Sequence, residues 1–170
     1  MWTRLRQERG VASALLLVYA FLLFATLFTG YTAYHRLVAI RQATHAALDQ
    51  AALVAAQQID PNAAYAGRVV IVRAAAQAAF DSTLPGLLAA VPSGAYAGPL
   101  SVTAFTVYQQ SQAGAQPLPG WTVTGPSVFA EVSVPVRALV LGAPAFTFTM
   151  RVATLQNTPL WNSQSGSWGG

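Results

Sequence analysis

Between Val11 and Tyr34 the chain carries 24 consecutive residues, VASALLLVYAFLLFATLFTGYTAY, with neither a charge nor a proline. As an α-helix rising 1.5 Å per residue, such a run is about 36 Å long, enough to cross a hydrocarbon core of about 30 Å with some tilt. No stripe of it is polar, so it does not fit the half-wet surface helix of a small soluble domain. A cleavable secretory signal has an apolar part of roughly 7–15 residues and ends in small residues. Here the run is longer, and Tyr31-Thr32-Ala33 puts a bulky ring where a small side chain is needed. The run therefore reads as a retained anchor. Arg4, Arg6 and Arg9 precede it and Arg36 and Arg41 follow; the leading cluster predicts a cytoplasmic N-terminus and an exported remainder.

The segment beyond the run, HRLVAIRQATHAALDQAALVAAQQID, has no Pro or Gly and is rich in good helix formers, so the helix is expected to continue. At 100° per residue, Leu37, Ile40, Thr44, Ala47, Leu48, Ala51, Val54 and Ala55 share one side, and Arg41, Gln42, His45, Asp49, Gln50 and Gln57 the other. Asp60-Pro61 stops it, because the residue before a proline is pushed out of the α region. The expectation is a short basic segment over 1–10 and one helix over 11–58, apolar all round over 11–34 and amphipathic over 35–58.

Asp60 and Pro61 also form a start signal, as N-cap and first residue of a second helix running to about Ser82, weakened by Gly67 and by Val69 to Val72. Leu84 to Pro99 reads as loop with at most one short turn of helix. After Pro99 the apolar period becomes two: Leu100 to Tyr108, then Val128, Ala130, Val132, Val134 and Val136 opposite Glu131, Ser133 and Arg137, then Phe146, Phe148, Met150 and Val152. Pro135 points to an edge strand or bulge, and Trp121-Thr-Val-Thr to one more short strand. The fold class is α+β: a long apolar helix, then a head over 59–160 with a second helix and an antiparallel sheet, then a flexible tail over 161–170.

Chemistry-bearing residues are sparse. Only 8% of the chain is charged, against about 25% in a typical soluble domain. The net charge of +4 does not imply nucleic acid, since beyond Arg4, Arg6 and Arg9 the arginines do not cluster. With no Cys, disulfides and thiolate sites are excluded. His35 and His45 would sit about 15 Å apart along one helix, too far to share a metal. His45 with Asp49 reads as a solvated i, i+4 pair, and Asp81 and Glu131 stand alone. No G-x-S-x-G elbow or phosphate-binding glycine loop occurs. No enzyme, metal or cofactor is expected. Tyr96, Phe105, Tyr108 and Trp121 read mainly as core, and as ligand contacts in a binding module.

ERGVASALLLVYAFLLF at 8–24, the amphipathic continuation and the closing hairpin VSVPVRALVLGAPAFTFTMRVAT at 132–154 resemble the type IV pilin superfamily, and within it the TadE/TadG-like proteins of tight-adherence pili. The resemblance implies a structural subunit of an extracellular, adhesive filament, inserted in the cell membrane before assembly, with helices in the filament core and β-rich heads outside. Its partners would be other copies of the chain, the membrane and the pilus assembly machinery. Leu15, Leu16, Leu22, Phe24, Ala25, Thr29, Gly30, Ala33, Leu37, Ile40 and Leu48 would form the packing interface, Ala25, Thr29 and Ala33 as a small-residue row. The family's peptidase cuts after a Gly, which maps to Gly10 before Val11, and the fifth residue beyond is usually Glu; Leu15 stands there instead. With the N-terminus kept, Glu8 would pair with an arginine of a neighbour such as Arg9. The alternatives are a membrane-retained TadE/TadG-like minor subunit that assists assembly, and a solitary anchored binding domain.

Overall fold

The computed structural model describes residues 2–91, 96–138, 146–158, 161–162 and 167–168, with side chains described from Ser13 onward except at 138, 146 and within 161–168. The chain divides into two compact units, Met1–Val38 with Ala138–Phe146, and Ala39–Arg137 with Thr147–Gly170. Helix α1, Trp2–Ala56, is 55 residues long. It begins nine residues before the expected Val11, because Trp2 to Glu8 are tolerable helix formers and a helix already nucleated propagates through Gly10 for about 1 kcal/mol. Its C-terminus falls at Ala56 rather than Gln58. There the Gln58 carbonyl accepts from the Val72 N–H at 2.8 Å and Asp60 N–H donates to the Val70 carbonyl at 2.9 Å, so Ile59 bridges Ile71 in antiparallel fashion.

Asp60 caps the next helix as expected: its Oδ1 accepts from the Asn62 N–H at 2.9 Å, with Pro61 in the first turn. This helix, α2, is only Pro61–Tyr65. Gly67, at φ +72°, ends it. The Gly67 N–H donates to the Ala64 carbonyl and the Arg68 N–H to the Ala63 carbonyl, both at 2.9 Å, a Schellman closure that needs a residue in the left-handed region. The single helix expected to reach Ser82 is thus two helices separated by an extended stretch, in which Val69 and Ile71 are buried. Helix α3, Arg73–Ala89, then runs past Ser82 and through Pro85, over residues expected to be loop. Ala76, Phe80 and Leu84 form its buried stripe. Pro85 is on the exposed side, where the lost N–H removes one bond while Leu87 and Leu88 pack beyond it.

The sheet has strand order β1-β2-β3, with β1 Ser101–Tyr108, β2 Ser127–Ala138 and β3 Phe146–Asn157. β1 pairs antiparallel to β2, Ser101 opposite Ser133 and Tyr108 opposite Ser127, with a bulge at Thr103 whose hydroxyl donates to the Glu131 carbonyl at 3.1 Å. The period-two face of β2 is realised: Val128, Ala130, Val132, Val134 and Val136 are all fully buried. Phe105, opposite Ala130, meets Phe80 of α3 with ring centroids 5.0 Å apart. β2 is central, so Pro135 is not on an edge strand. It lies beyond the β1 ladder, which ends at Ser133, and its carbonyl accepts from the Ala97 N–H at 2.8 Å. Trp121 to Thr124 is not a strand: the Trp121 N–H donates to the Leu118 carbonyl, the Val123 N–H donates to the Ala115 carbonyl, and the Val123 carbonyl accepts from the Gly114 N–H. In the tail, Trp161–Asn162 (β4) pairs antiparallel to Ser167–Trp168 (β5).

In the second unit the α1 stripe Ile40, Thr44, Ala47, Leu48, Ala51 and Ala55 is buried, joined by Ala52 and Ala56, while Leu37 in the first unit and Val54 are half-buried. Thr44 resolves its hydroxyl twice, donating to the Ile40 carbonyl at 2.8 Å or sharing a hydrogen bond with Tyr96 Oη at 2.9 Å. Leu48 and Phe80 have no exposed surface. Leu48→Ala is expected to destabilise by about 2–5 kcal/mol and Phe80→Ala by about 3–5 kcal/mol. Tyr65→Ala, at a side chain 94% exposed, should fall within about 0.5 kcal/mol of the parent. Denaturant unfolding of the three variants checks the ordering.

Candidate functional site

In the first unit, α1 is apolar enough and long enough to cross a membrane: its most apolar window has a mean hydropathy of 2.0 and none of it is buried. Leu15, Leu16, Leu22 and Phe24 are 58–69% exposed, and Gly30 is exposed with open space around it. Ala25, Thr29 and Ala33 are half-buried. Phe24 stacks on Phe28 one turn away, centroids 6.1 Å apart.

The threonine side chains of this stem do not demand water. Thr26 Oγ1 donates to the Leu22 carbonyl at 2.8 Å, Thr29 Oγ1 to the Ala25 carbonyl at 2.7 Å, and Thr32 Oγ1 to the Thr29 carbonyl at 2.9 Å. Each hydroxyl is satisfied by its own helix, the condition for residing in hydrocarbon. At the C-terminal end of the run, Tyr31 and Tyr34 gather on His35, at centroid distances of 4.2 and 5.8 Å, followed directly by Arg36. Amphipathic rings followed by a cation are the residues that favour the headgroup level.

The predicted packing set does not survive whole. Ile40 is 4% exposed and Leu48 is 0% exposed within the second unit, so neither is available to a neighbouring copy; the apolar period that selected them is the core stripe of the head. Gly10 and Val11 lie inside the continuous helix α1. The side chains of Glu8 and Arg9 lie outside the described residues.

The second unit carries a polar cluster that sequence spacing shows only in part. His45 Nδ1 is 2.8 Å from Asp49 Oδ2, the i, i+4 pair expected on α1. Asp49 Oδ1 also accepts a short hydrogen bond from Thr154 Oγ1 on β3, and Gln156 Nε2 donates to the same hydroxyl at 3.2 Å. Thr154 is 105 residues from Asp49, so no local pattern reveals it. The order of contacts argues against a nucleophile: the hydroxyl faces the carboxylate, whereas catalysis needs it on the imidazole. Beside this cluster a cleft of about 380 Å³ is lined by Arg41, His45, Leu118, Trp121, Glu131 and Arg151 among others. Arg151 lies 3.8 Å from Glu131. Of the aromatics singled out in the sequence, Phe105 is packed on Phe80, Tyr96 is bonded to Thr44, and Trp121 is the one that lines the cleft. Among the described residues no three His, Asp or Glu side chains converge as a metal site requires.

No protein-family model, no curated protein and no solved structure matches the chain.

Two outcomes follow from these geometries. Leu22→Arg places a charge inside the stem, at a penalty of about 2.5–3.5 kcal/mol near the centre of a span; carbonate extraction should find a larger share of that variant released from membranes than of Leu22→Ile. Asp49→Ala takes away the acceptor of the Thr154 O–H, on a side chain 2% exposed that still accepts from Gln156, and should cost about 1–3 kcal/mol, whereas His45→Ala removes a half-exposed pair and should cost less than about 1 kcal/mol. Adding Thr154→Val to Asp49→Ala should recover most of the loss, which a double-mutant cycle by thermal unfolding measures.

Proposed function

We infer that the chain is a pilin-like structural subunit, anchored in the cell membrane by α1 with its N-terminus in the cytoplasm and its head outside, and then packed through that helix into an extracellular filament. The observation that carries this reading is the exposed stem: 13 large apolar or aromatic residues from Leu15 to Tyr34 stand 49% or more exposed on one helix whose threonine hydroxyls are internally bonded. Lipid covers such a surface before assembly and sister helices after it. Burying a Leu or Phe fully contributes roughly 1.5–3 kcal/mol, so a bundle of stems is favoured over any exposure to water. Leu15, Leu16, Leu22, Phe24, Gly30 and the half-buried Ala25, Thr29, Ala33 and Leu37 are the packing residues of this reading, with Gly10–Val11 as the junction that a processing peptidase would cut. The resemblance at 8–24 and 132–154 supports the same assignment.

A second reading, a solitary anchored binding domain, is favoured by the cleft at Trp121. The two separate by microscopy. Sheared surface material from cells making the chain is expected to hold thin fibres that an antibody to the head decorates, with mass spectrometry of the fibre protein reading the residue that follows any cut. Chain confined to the membrane fraction, with no fibres, transfers the assignment to a membrane-retained assembly subunit or binding domain. A soluble monomer starting beyond Tyr34 overturns the anchor itself.

A further inference from the structure

The cleft of the second unit has a composition that neither an anchor nor a filament core requires. Two arginines, Arg41 from α1 and Arg151 from β3, line a space of about 380 Å³ that also takes in Trp121 and Leu118. Arg41 is exposed and has no partner among the described residues, and Arg151, its side chain 76% exposed, is held to Glu131 only at 3.8 Å, outside hydrogen-bond length. Both forks therefore have donors to offer. His45, also at the cleft, is fixed in orientation: its Nδ1 is engaged by Asp49, which is itself braced by Thr154, leaving Nε2 for another partner. Trp121 is half-buried, and Phe129 meets it edge-on, at 85° and 6.4 Å, so at least one flat side of the indole is left uncovered by that ring.

We propose that this cleft binds a carboxylated sugar residue, a uronate of an acidic polysaccharide, with the ring on Trp121 and Leu118 and the carboxylate on Arg41 and Arg151. A pyranose has an apolar C–H face suited to an indole and a rim of hydroxyls suited to a carboxylate acceptor, a role open to Glu131, whose side chain is 17% exposed. Planar carboxylates match guanidinium forks in paired hydrogen bonds. A doubly charged phosphate suits the site less, because Glu131 stands among the cations and the lining residues lie within a long helix, a loop and two strands, with no glycine loop or helix N-terminus to supply backbone N–H groups. The volume lies at the small end of the range for ligand sites, about 300–1,000 Å³, which limits the contact to one or two sugar rings of a chain that continues outside.

The test is calorimetric titration of the full chain in lipid nanodiscs with trigalacturonate, its neutral galactose counterpart, and benzoate. Saturable binding of trigalacturonate is expected, with the neutral trisaccharide and benzoate each at least about tenfold weaker, the equivalent of 1.4 kcal/mol. Arg41→Gln with Arg151→Gln, both at exposed positions, should abolish it, Trp121→Ala should weaken it about tenfold or more, and Trp121→Phe should retain it. Circular dichroism reports whether each variant is folded, and the paired arginine substitutions decide the matter should Trp121→Ala fail to fold. Equal affinity for the neutral sugar, equal affinity for benzoate, no effect of the paired arginine substitutions, or no saturable binding at all overturns the proposal. None of these results bears on whether the stem is anchored or forms fibres, and absence of fibres leaves this binding test unaffected.

Discussion

The constraint on which everything else depends is that α1 presents large apolar side chains on every side from Leu15 to Tyr34 while leaving none of its threonine hydroxyls short of a partner. Exposed apolar patches on soluble monomers rarely exceed a few hundred Å², and a full cylinder of Leu, Phe and Tyr is well beyond that. Such a helix is stable only where something non-aqueous surrounds it. Because the backbone is satisfied along its own axis, lipid and a bundle of identical helices are both admissible surroundings, and the choice between them is left to packing.

The same helix obeys a different rule after Val38. Where the stem uses Leu, Phe and Tyr, the stretch from Ala47 to Ala56 buries Ala47, Ala51, Ala52, Ala55 and Ala56, small side chains that let other elements approach the helix axis closely. Leu48 and Ile40 supply the bulk, and Thr44 reaches Tyr96. One continuous element therefore carries two kinds of hydrophobicity, outward and bulky, then one-sided and fine-grained. A chain with so few charges can still make a specific head, because polar side chains tie distant segments together: the half-buried Asp49 holds both His45 and the buried Thr154, and the half-buried Gln109 side chain brackets Ile71 by accepting from its N–H at 3.2 Å and donating to its carbonyl at 2.8 Å.

How far the sequence discloses this is a matter of range. Features set by neighbours a few residues apart were legible: the apolar run, the stripe from Ile40 to Ala55, the Asp60 cap, and the alternation from Val128 to Val136. Features set by distant partners were not. Pro85 looks like a helix breaker until Leu84, Leu87 and Leu88 are seen packed on either side of it, and Pro135 looks like an edge-strand residue until the β1 ladder is seen to stop at Ser133. Ile40 and Leu48 had the right period for a packing surface, but period alone does not say whether the partner is the chain's own sheet or another molecule. In the cleft, Arg41, Trp121, Glu131 and Arg151 come from four separate stretches, and none stands in a motif.

On the filament reading proposed above, Leu15 bears most directly on how the subunits would be held together. A buried glutamate in an apolar bundle must be matched by a positive group, since an unpaired charge in a low-dielectric core costs several kcal/mol. Such a pair fixes the stagger between neighbouring helices. With Leu15 at that position, the stem from Ser13 to Tyr34 contains no charge to match, and its transfer from lipid to bundle exchanges one apolar environment for another. In the filament reading, the stagger must then be set elsewhere: by the fit of bulky side chains against the small row at Ala25, Thr29 and Ala33, by the basic segment before Gly10, or by contacts between heads. The small row is the weakest of these as a register device, because its spacing of four repeats every turn and so permits slips of one turn. Heads bring shape and fixed polar groups, and the burden of register falls on them.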